Sequence, residues 1–354
     1  MKRFVLMFAA LGLLFACTPE NNSNNGGGQN NPNELTTTGE ALEVTDIYAT
    51  LTGYANLPFE LGDAEVGIMY DKVQFFESAQ KAVATGLDGN NKFTVTVTGL
   101  DPSTTYYYKS YAQNGMAIKY GSVKSFTTKE STIPAGAVDL GIVMTREDGT
   151  MYKLYWATSN LCEDGLCANP EDYGDYYAWG DTAPYYSSQS PLTWKNGKSA
   201  GYSWASYKWC NGSYSTLTKY NTSSSYGTVD NKTVLESSDD AASVNLGGKW
   251  RMPTDAEWTE LKTKCTWTWV TNYNGSGING RLITATNGNS IFLPAAGSRS
   301  DTNLHYAGSS GGYWSSSLGT DYPYRAWRVY FDSGSVGGSN DDRCYGRSVR
   351  PVSE

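Results

Sequence analysis

The chain has 354 residues, 39% of them apolar and 14% aromatic, which excludes disorder throughout and predicts two or three domains with real cores. Charged residues make up only 18%, while Tyr numbers 27 and Gly 38, a balance closer to extracellular all-β or loop-rich proteins than to cytosolic enzymes. The net charge of -8 argues against a nucleic-acid partner, because phosphate neutralisation needs a basic face.

Lys2-Arg3 followed by the apolar stretch Phe4 to Ala16 has the charged and apolar regions of a secretory signal, and it is too short to span a bilayer. The signal peptide is therefore expected over 1–16. Leu14-Phe15-Ala16-Cys17 resembles a bacterial lipobox, although Phe15 is a less usual occupant of its position. The resemblance implies lipid attachment at Cys17 and a membrane partner through that anchor; several acyl chains on one residue supply stable anchoring. The expected location is the bacterial cell envelope, as an outer-membrane lipoprotein exposed at the surface. An ordinary signal peptide with an incidental Cys is weighed lower, since Cys17 closes the apolar run. From Cys17 to residue 37 the chain is polar and rich in Gly and Asn, as in "TPENNSNNGGGQNNPN", and is expected to be a flexible tether.

Residues 38–129 alternate apolar and polar in short runs such as "DAEVGIMYD" and "KFTVTVTGL", separated by Gly, Asn and Pro turns. This predicts an all-β sandwich. Within it, "GLDPSTTYYYKSYAQNG" carries Leu100, Pro102 and Tyr106 at a spacing that resembles the corner before strand F of a fibronectin type III module. The resemblance implies that the Tyr106 hydroxyl ties back to upstream backbone, and that the module is a spacer or a binding platform. Residues 130–136, "ESTIPAG", form the linker.

Residues 137–354 have another texture. All eleven Trp fall here, among Gly/Ser/Tyr/Asn loops and short apolar strands. "LGGKWRMPTDAEWTELKTKC" contains the one convincing helix: Thr254 can cap it with Glu257 as a capping box, and Trp258, Leu261 and Cys265 share a face. The last stretch, Arg347 to Val352, alternates like a strand, so the Gly/Ser/Asn/Asp run ahead of it is expected to be displayed. Five Cys lie in this region, and an odd number leaves at least one unpaired in an exported protein. Cys162 and Cys167 can close a small loop; Cys265 with Cys344 is a guess, and other pairings stay open.

"GGKWRMPTDAEWTEL", "IFLPAAGSR", "GGYWSSS" and "YGRSVRPV", with "YGDYYAWGDT" and "DDAASVNLGG" upstream, resemble the Fibrobacter-type major paralogous domain. That family is abundant in lipoproteins of Bacteroidetes-like bacteria and is similar to the formylglycine-generating-enzyme branch of the C-type lectin fold. The resemblance implies an α+β, loop-rich C-type lectin-like domain after the sandwich. It does not carry the enzyme's chemistry, because Ser339 stands where the copper-binding pair would need a second Cys before Cys344. Nor are the sugar-chelating triplets of calcium-dependent lectins present. No cofactor and no metal are expected.

The single histidine, His305, removes most Ser-His-Asp arrangements and any two-His zinc site. Carboxylates are numerous (Glu163, Asp164, Glu171, Asp172, Asp175, Asp181, Asp239, Asp240, Asp341 and Asp342), but no pair stands out as a glycosidase couple, and turn roles suit Asp beside Gly and Asn. Trp250, Trp258 and Trp314 lie inside the family motifs and are expected in the core, whereas Trp327 can equally face outward.

The residues Asn303, His305, Tyr306, Asp321, Tyr322, Tyr324, Ser339, Asn340, Asp341, Asp342, Cys344 and Tyr345 are of types reached from one adenine-rich codon. Their clustering resembles the variable region of C-type-lectin-fold receptors diversified by retroelements. The plainer account is that these are ordinary loop residues; either suits binding, since Tyr supplies amphipathic contact area while Ser, Gly and Asn adapt hydrogen bonds around it. The expectation is a non-catalytic envelope protein that binds a glycan or protein ligand through Asn303, His305, Tyr306, Asp321, Tyr322, Tyr324, Arg325, Trp327, Asn340, Asp341, Asp342 and Tyr345. A carbohydrate-active hydrolase and a structural surface or fimbria-associated subunit are the alternatives.

Overall fold

The computed structural model describes residues 35–56, 64–115, 117–187 and 192–354. The signal segment, Cys17 and nearly all of the expected tether lie outside the described residues. The chain is mostly β with few helices and falls into two compact units, one ending at Glu130 and the other running Ser131–Glu354.

The first unit has eight strands: β1 (Thr36–Val44), β2 (Tyr48–Ala55), β3 (Glu65–Asp71), β4 (Gln80–Val83), β5 (Lys92–Thr98), β6 (Thr105–Asn114), β7 (Ala117–Tyr120) and β8 (Lys124–Thr127). They form two antiparallel sheets, β1-β2-β5 and β4-β3-β6-β7, with β8 also pairing β6. Alternation sets which face goes in. In β5, Phe93, Val95 and Val97 are buried while the threonines between them are exposed, and they meet Ile68, Tyr106 and Tyr108 of the other sheet in one core. The Tyr106 hydroxyl accepts from the Asp101 N–H at 2.9 Å, the upstream tie that the corner motif predicts. One boundary differs from expectation: Thr36 and Thr37, assigned to the tether by composition, pair with Ala55 and Tyr54 in β1. Between β1 and β2, Thr45 Oγ1 accepts from the N–H groups of Ile47 (3.2 Å) and Tyr48 (3.0 Å) and turns the chain.

The second unit is built from small sheets. β9 (Ala137–Thr145) and β10 (Met151–Ala157) pair with each other, and β10 also pairs with the last strand; β11 (Leu161–Cys162) and β12 (Gly165–Leu166) form a small hairpin, as do β13 (Tyr186–Ser187) and β14 (Thr193–Trp194). After two helices, α1 (Ala241–Leu246) and α2 (Asp255–Lys264), come the sheet of β15 (Thr266–Val270), β16 (Gly280–Thr284) and β17 (Ser290–Pro294) and the hairpin of β18 (Ser298–Ser300) and β19 (Asn303–His305). The sheet of β20 (Gly311–Leu318), β21 (Arg325–Phe331) and β22 (Val336–Asp342) follows, and β23 (Val352–Ser353) returns to β10.

Helix α2 starts where its capping box predicts: Thr254 Oγ1 accepts from Glu257 N–H at 3.2 Å, and Glu257 Oε2 accepts from Thr254 N–H at 2.8 Å. Its inner face buries Trp258, whose ring lies 4.7 Å from that of Trp156, and Leu261. The sequence gives no periodic signal for α1, a helix of six residues capped by the Asp240 side chain.

Two expectations about the C-terminal stretch need correction. Arg347 to Val352 is not a strand; only Val352 and Ser353 join a sheet, and Tyr177–Arg347 and Tyr313–Ser348 are isolated bridges. The polar positions do not face water. Arg350 is fully buried and donates to Asn160 Oδ1 (2.9 Å), Ala157 O (3.0 Å) and Phe292 O (2.8 Å), so alternation here marks two packed sides. The run ahead of it is not a displayed loop: Val336–Asp342 is strand β22, and Arg343 and Cys344 are buried.

Cys162 and Cys167 form a disulfide. Cys210, Cys265 and Cys344 are free thiols, so the Cys265–Cys344 pairing is wrong: Cys265 closes α2 in the core beneath β9 and β10, and Cys344 packs in a different cluster with Tyr176, Tyr202 and Tyr207. Burial pushes the thiols of Cys265 and Cys344 up. Trp258 and Trp314 are in the core, but Trp250 is only half-buried.

Candidate functional site

The last sheet and its flanking loops bring most of the expected binding residues into two places. The antiparallel register of β21 with β22 explains why. Arg325 stands opposite Asp342 and Ala326 opposite Asp341, so Asp342 shares a face with Arg325, and Asp341 shares the other with Arg328 and Tyr330.

The first place is an aromatic platform. Tyr324 packs against Tyr214 (centroids 5.3 Å), Tyr226 (5.2 Å) and Tyr322 (5.9 Å). Tyr214 and Tyr322 are 49% and 48% exposed, so the cluster faces solvent. The Arg325 guanidinium lies over both Tyr324 (5.3 Å) and Tyr322 (5.8 Å) and is ion-paired with Asp342 at 3.5 Å. Its position is held from below by Arg343. That fully buried side chain donates to Pro323 O (2.8 Å), Tyr220 O (2.9 Å), Lys219 O (3.0 Å) and Tyr207 Oη (2.9 Å), locking the turn before β21 to the 219–220 segment. A buried guanidinium satisfied by backbone carbonyls is a rigid support.

The second place is a cleft of about 880 Å³ between the β18–β19 hairpin and β21. His305, Tyr306, Asp341 and Tyr345 line it together with Arg328, Tyr330 and Arg347. His305 Nε2 lies 3.0 Å from Ser300 Oγ across the hairpin. Tyr306 is 73% exposed and adopts a left-handed backbone (φ 58°). On the floor, Arg347 donates to Asp341 Oδ2, and Arg328 Nε lies 3.3 Å from the same oxygen. Burial, then the neighbouring Arg328 charge, push the Arg347 guanidinium down to about 10.

The remaining expected residues are not gathered. Asn303 is exposed at the start of β19 and Asp321 is exposed on the turn before β21, while Trp327 and Asn340 oppose each other, half-buried, in the sheet. Cys344 belongs to the core and not to a displayed patch. Four of the candidate carboxylates are engaged in holding structure: Asp175 accepts from Glu163 N–H, Asp181 from the Tyr185 hydroxyl, Asp239 from Tyr220 and Lys219, and Asp240 caps α1. Burial pushes the carboxyls of Asp175, Asp181 and Asp240 up. No group of three or more His, Cys, Asp or Glu among the described residues is placed to hold a metal ion.

Arg328 and Tyr330 could have been found from sequence, since a strand over "RAWRVYF" puts them on one face two residues apart. Tyr214 and Tyr226 carry no such signal, being roughly a hundred positions from Tyr324 in the chain.

A family model described as a domain of unknown function (DUF8237) matches residues 268–352. That span contains β16 to β22 and, with them, both guanidiniums of the cleft. No curated protein matches the chain. Among solved structures, the sensor domain of the anti-sigma factor RsgI4 in Pseudobacteroides cellulosolvens has 18% identity over 27% of this chain and 94% of its own, with a TM-score of 0.23. The fibronectin type III domain of human fibronectin type III domain containing protein 3 has 18% identity over 31% of this chain and 98% of its own, also with a TM-score of 0.23.

Proposed function

We propose that this is an envelope lipoprotein that binds a macromolecular ligand, glycan or protein, through the C-terminal unit, without catalysis. The observation that carries it is the platform of Tyr214, Tyr226, Tyr322 and Tyr324 with Arg325 above it. Two of the four tyrosines, Tyr214 and Tyr322, are about half exposed and the other two are partly buried beside them, and Tyr and Arg are the side chains that dominate binding hot spots. The first unit serves as a fibronectin type III-like spacer; its two sheets and the Tyr106 tie support this. The second unit is read as a C-type lectin-like head of the major paralogous type, supported by the ordered motifs, the capped helix and the loops stitched together by aromatic rings. Lipidation of Cys17 attaches the whole to the membrane.

The test presents the full mature chain to arrays of glycans and of envelope proteins, alongside polysaccharide incubations assayed for new reducing ends. The expected result is saturable binding that Tyr324→Ala weakens roughly tenfold or more, with no reducing ends released. Turnover that disappears on substituting a single carboxylate would instead make the protein a hydrolase.

A further inference from the structure

The cleft beside β21 is separate from the tyrosine platform, and its charge is unbalanced. Among the described residues Asp341 is the one carboxylate ion-paired with Arg328 or Arg347, so the two guanidiniums share one paired carboxylate; Asp332, which also lines the cleft, is engaged instead by the N–H groups of Gly334 and Ser335. Arg347 is 5% exposed and stacks on the Trp314 indole at 5.2 Å. Its Nη1 lies so close to Gly312 that a Cβ there would come within 2.2 Å. The Nε atoms of both arginines are buried without a hydrogen-bond acceptor. The Arg328 guanidinium lines the cleft, and its one charged partner among the described residues is Asp341, 3.3 Å from Nε. Buried donors of this kind are normally satisfied, and leaving a charged one unpaired costs more than leaving a neutral one. The ring of Tyr330 lies beside the Arg328 guanidinium at 5.1 Å, and Tyr306, 73% exposed, stands on the rim.

We propose that this cleft binds an acidic sugar residue, with its carboxylate held by Arg328 and Arg347 and its ring against Tyr306 and Tyr330. A guanidinium fork matches a planar carboxylate, and the pairing is stronger in a partly buried cleft than in water. Tyrosine faces suit the apolar side of a pyranose, and the cleft is of the size that ligand sites occupy. The proposal rests on the ligand-binding reading above and deepens it by naming the ligand class.

The full mature chain and the variants Arg328→Gln, Asp341→Asn and Tyr324→Ala are tested on one array of neutral, uronate-bearing, methyl-esterified uronate and sulfated oligosaccharides. Binding to the free uronates is expected, weakened roughly tenfold by methyl esterification and by Arg328→Gln. Asp341→Asn frees both guanidiniums and is expected to tighten uronate binding, a direction that mere loss of structure cannot produce. The proposal is overturned if esterified and free uronates bind alike, if sulfated sugars alone bind, if no glycan binds, or if Asp341→Asn and Arg328→Gln weaken binding equally. A neutral glycan or protein ligand sensitive to Tyr324→Ala but not to Arg328→Gln would overturn the cleft assignment and leave the ligand-binding reading standing. Absence of any glycan or protein ligand would remove both.

Discussion

Glu257→Gln tests whether the second unit is organised around a buried ion pair. Glu257 is fully buried and makes four hydrogen bonds: two from Arg251 (2.6 and 2.8 Å), one from the Tyr152 hydroxyl (2.8 Å) and one from Thr254 N–H (2.8 Å). Removing one partner of a buried pair typically costs about 3–5 kcal/mol, because the other charge is left behind. Arg251 here is 26% exposed and keeps Glu354 at 2.8 Å, and Gln preserves the capping-box geometry. The expected loss is therefore about 2 kcal/mol, below the usual range for a broken buried pair. All eleven Trp lie in this unit, so tryptophan fluorescence during urea unfolding follows it alone.

The pH dependence has a definite sign. Burial pushes the Glu257 carboxyl up, but Arg251, the Thr254 N–H and the Tyr152 hydroxyl outweigh it and hold it below the usual carboxylate range. A carboxyl lowered on folding contributes stability above its unfolded value, near pH 4.3, which is lost as pH falls through the folded value. The gap between wild type and Glu257→Gln should thus be full near neutral pH and close on acidification below about pH 4. A gap under about 0.5 kcal/mol at neutral pH, no larger than an ordinary surface substitution, or one that widens in acid, refutes the reasoning.

Tyr106→Phe removes the tie to Asp101 N–H and should destabilise the first unit by about 1 kcal/mol, read by far-UV circular dichroism of urea unfolding, while the tryptophan-detected transition stays put. Gly297→Ala should prevent native assembly of the β18–β19 hairpin, since Gly297 has φ 68° and a Cβ would lie 2.0 Å from His305 O; amide exchange over 297–311 checks it. Cys17→Ser should abolish incorporation of labelled fatty acid and release the protein from the membrane fraction.

Where one face of a strand is buried, sequence and structure agree. Phe93, Val95 and Val97 face inward as the alternation requires, and Thr254 and Glu257 start the helix because capping chemistry is local. Agreement fails where long-range packing reverses a residue's usual role. Arg343, Arg347 and Arg350 sit in a stretch whose Gly, Ser and Asp content suggests a surface, yet each is buried, and their acceptors come from segments that are distant in sequence or read as loops. The platform is half legible for the same reason. Tyr322, Tyr324 and Arg325 lie together in the chain, but Tyr214 and Tyr226 reach them only through the tertiary fold.

Arg350 shows how far that reversal goes and can be tested directly. Burial pushes its guanidinium down to about 10, so it remains charged at neutral pH, and among the described residues its hydrogen-bond partners are an amide and two carbonyls, with no carboxylate. Replacing an unpaired buried charge with an apolar side chain relieves a desolvation penalty, and by that term alone Arg350→Met should stabilise the fold. Against it, Met leaves Asn160 Oδ1, Ala157 O and Phe292 O facing a side chain that cannot donate, at about 1–3 kcal/mol for each buried acceptor left unsatisfied. These acceptors come from the segment after β10, from β10 itself and from β17, so one side-chain shift cannot satisfy all three. The acceptor term wins, and Arg350→Met is expected to lower the tryptophan-detected stability by about 3 kcal/mol or more. A variant as stable as wild type would mean that the three acceptors find other donors, and that the arginine is not what joins β10 to β17 through the C-terminal stretch.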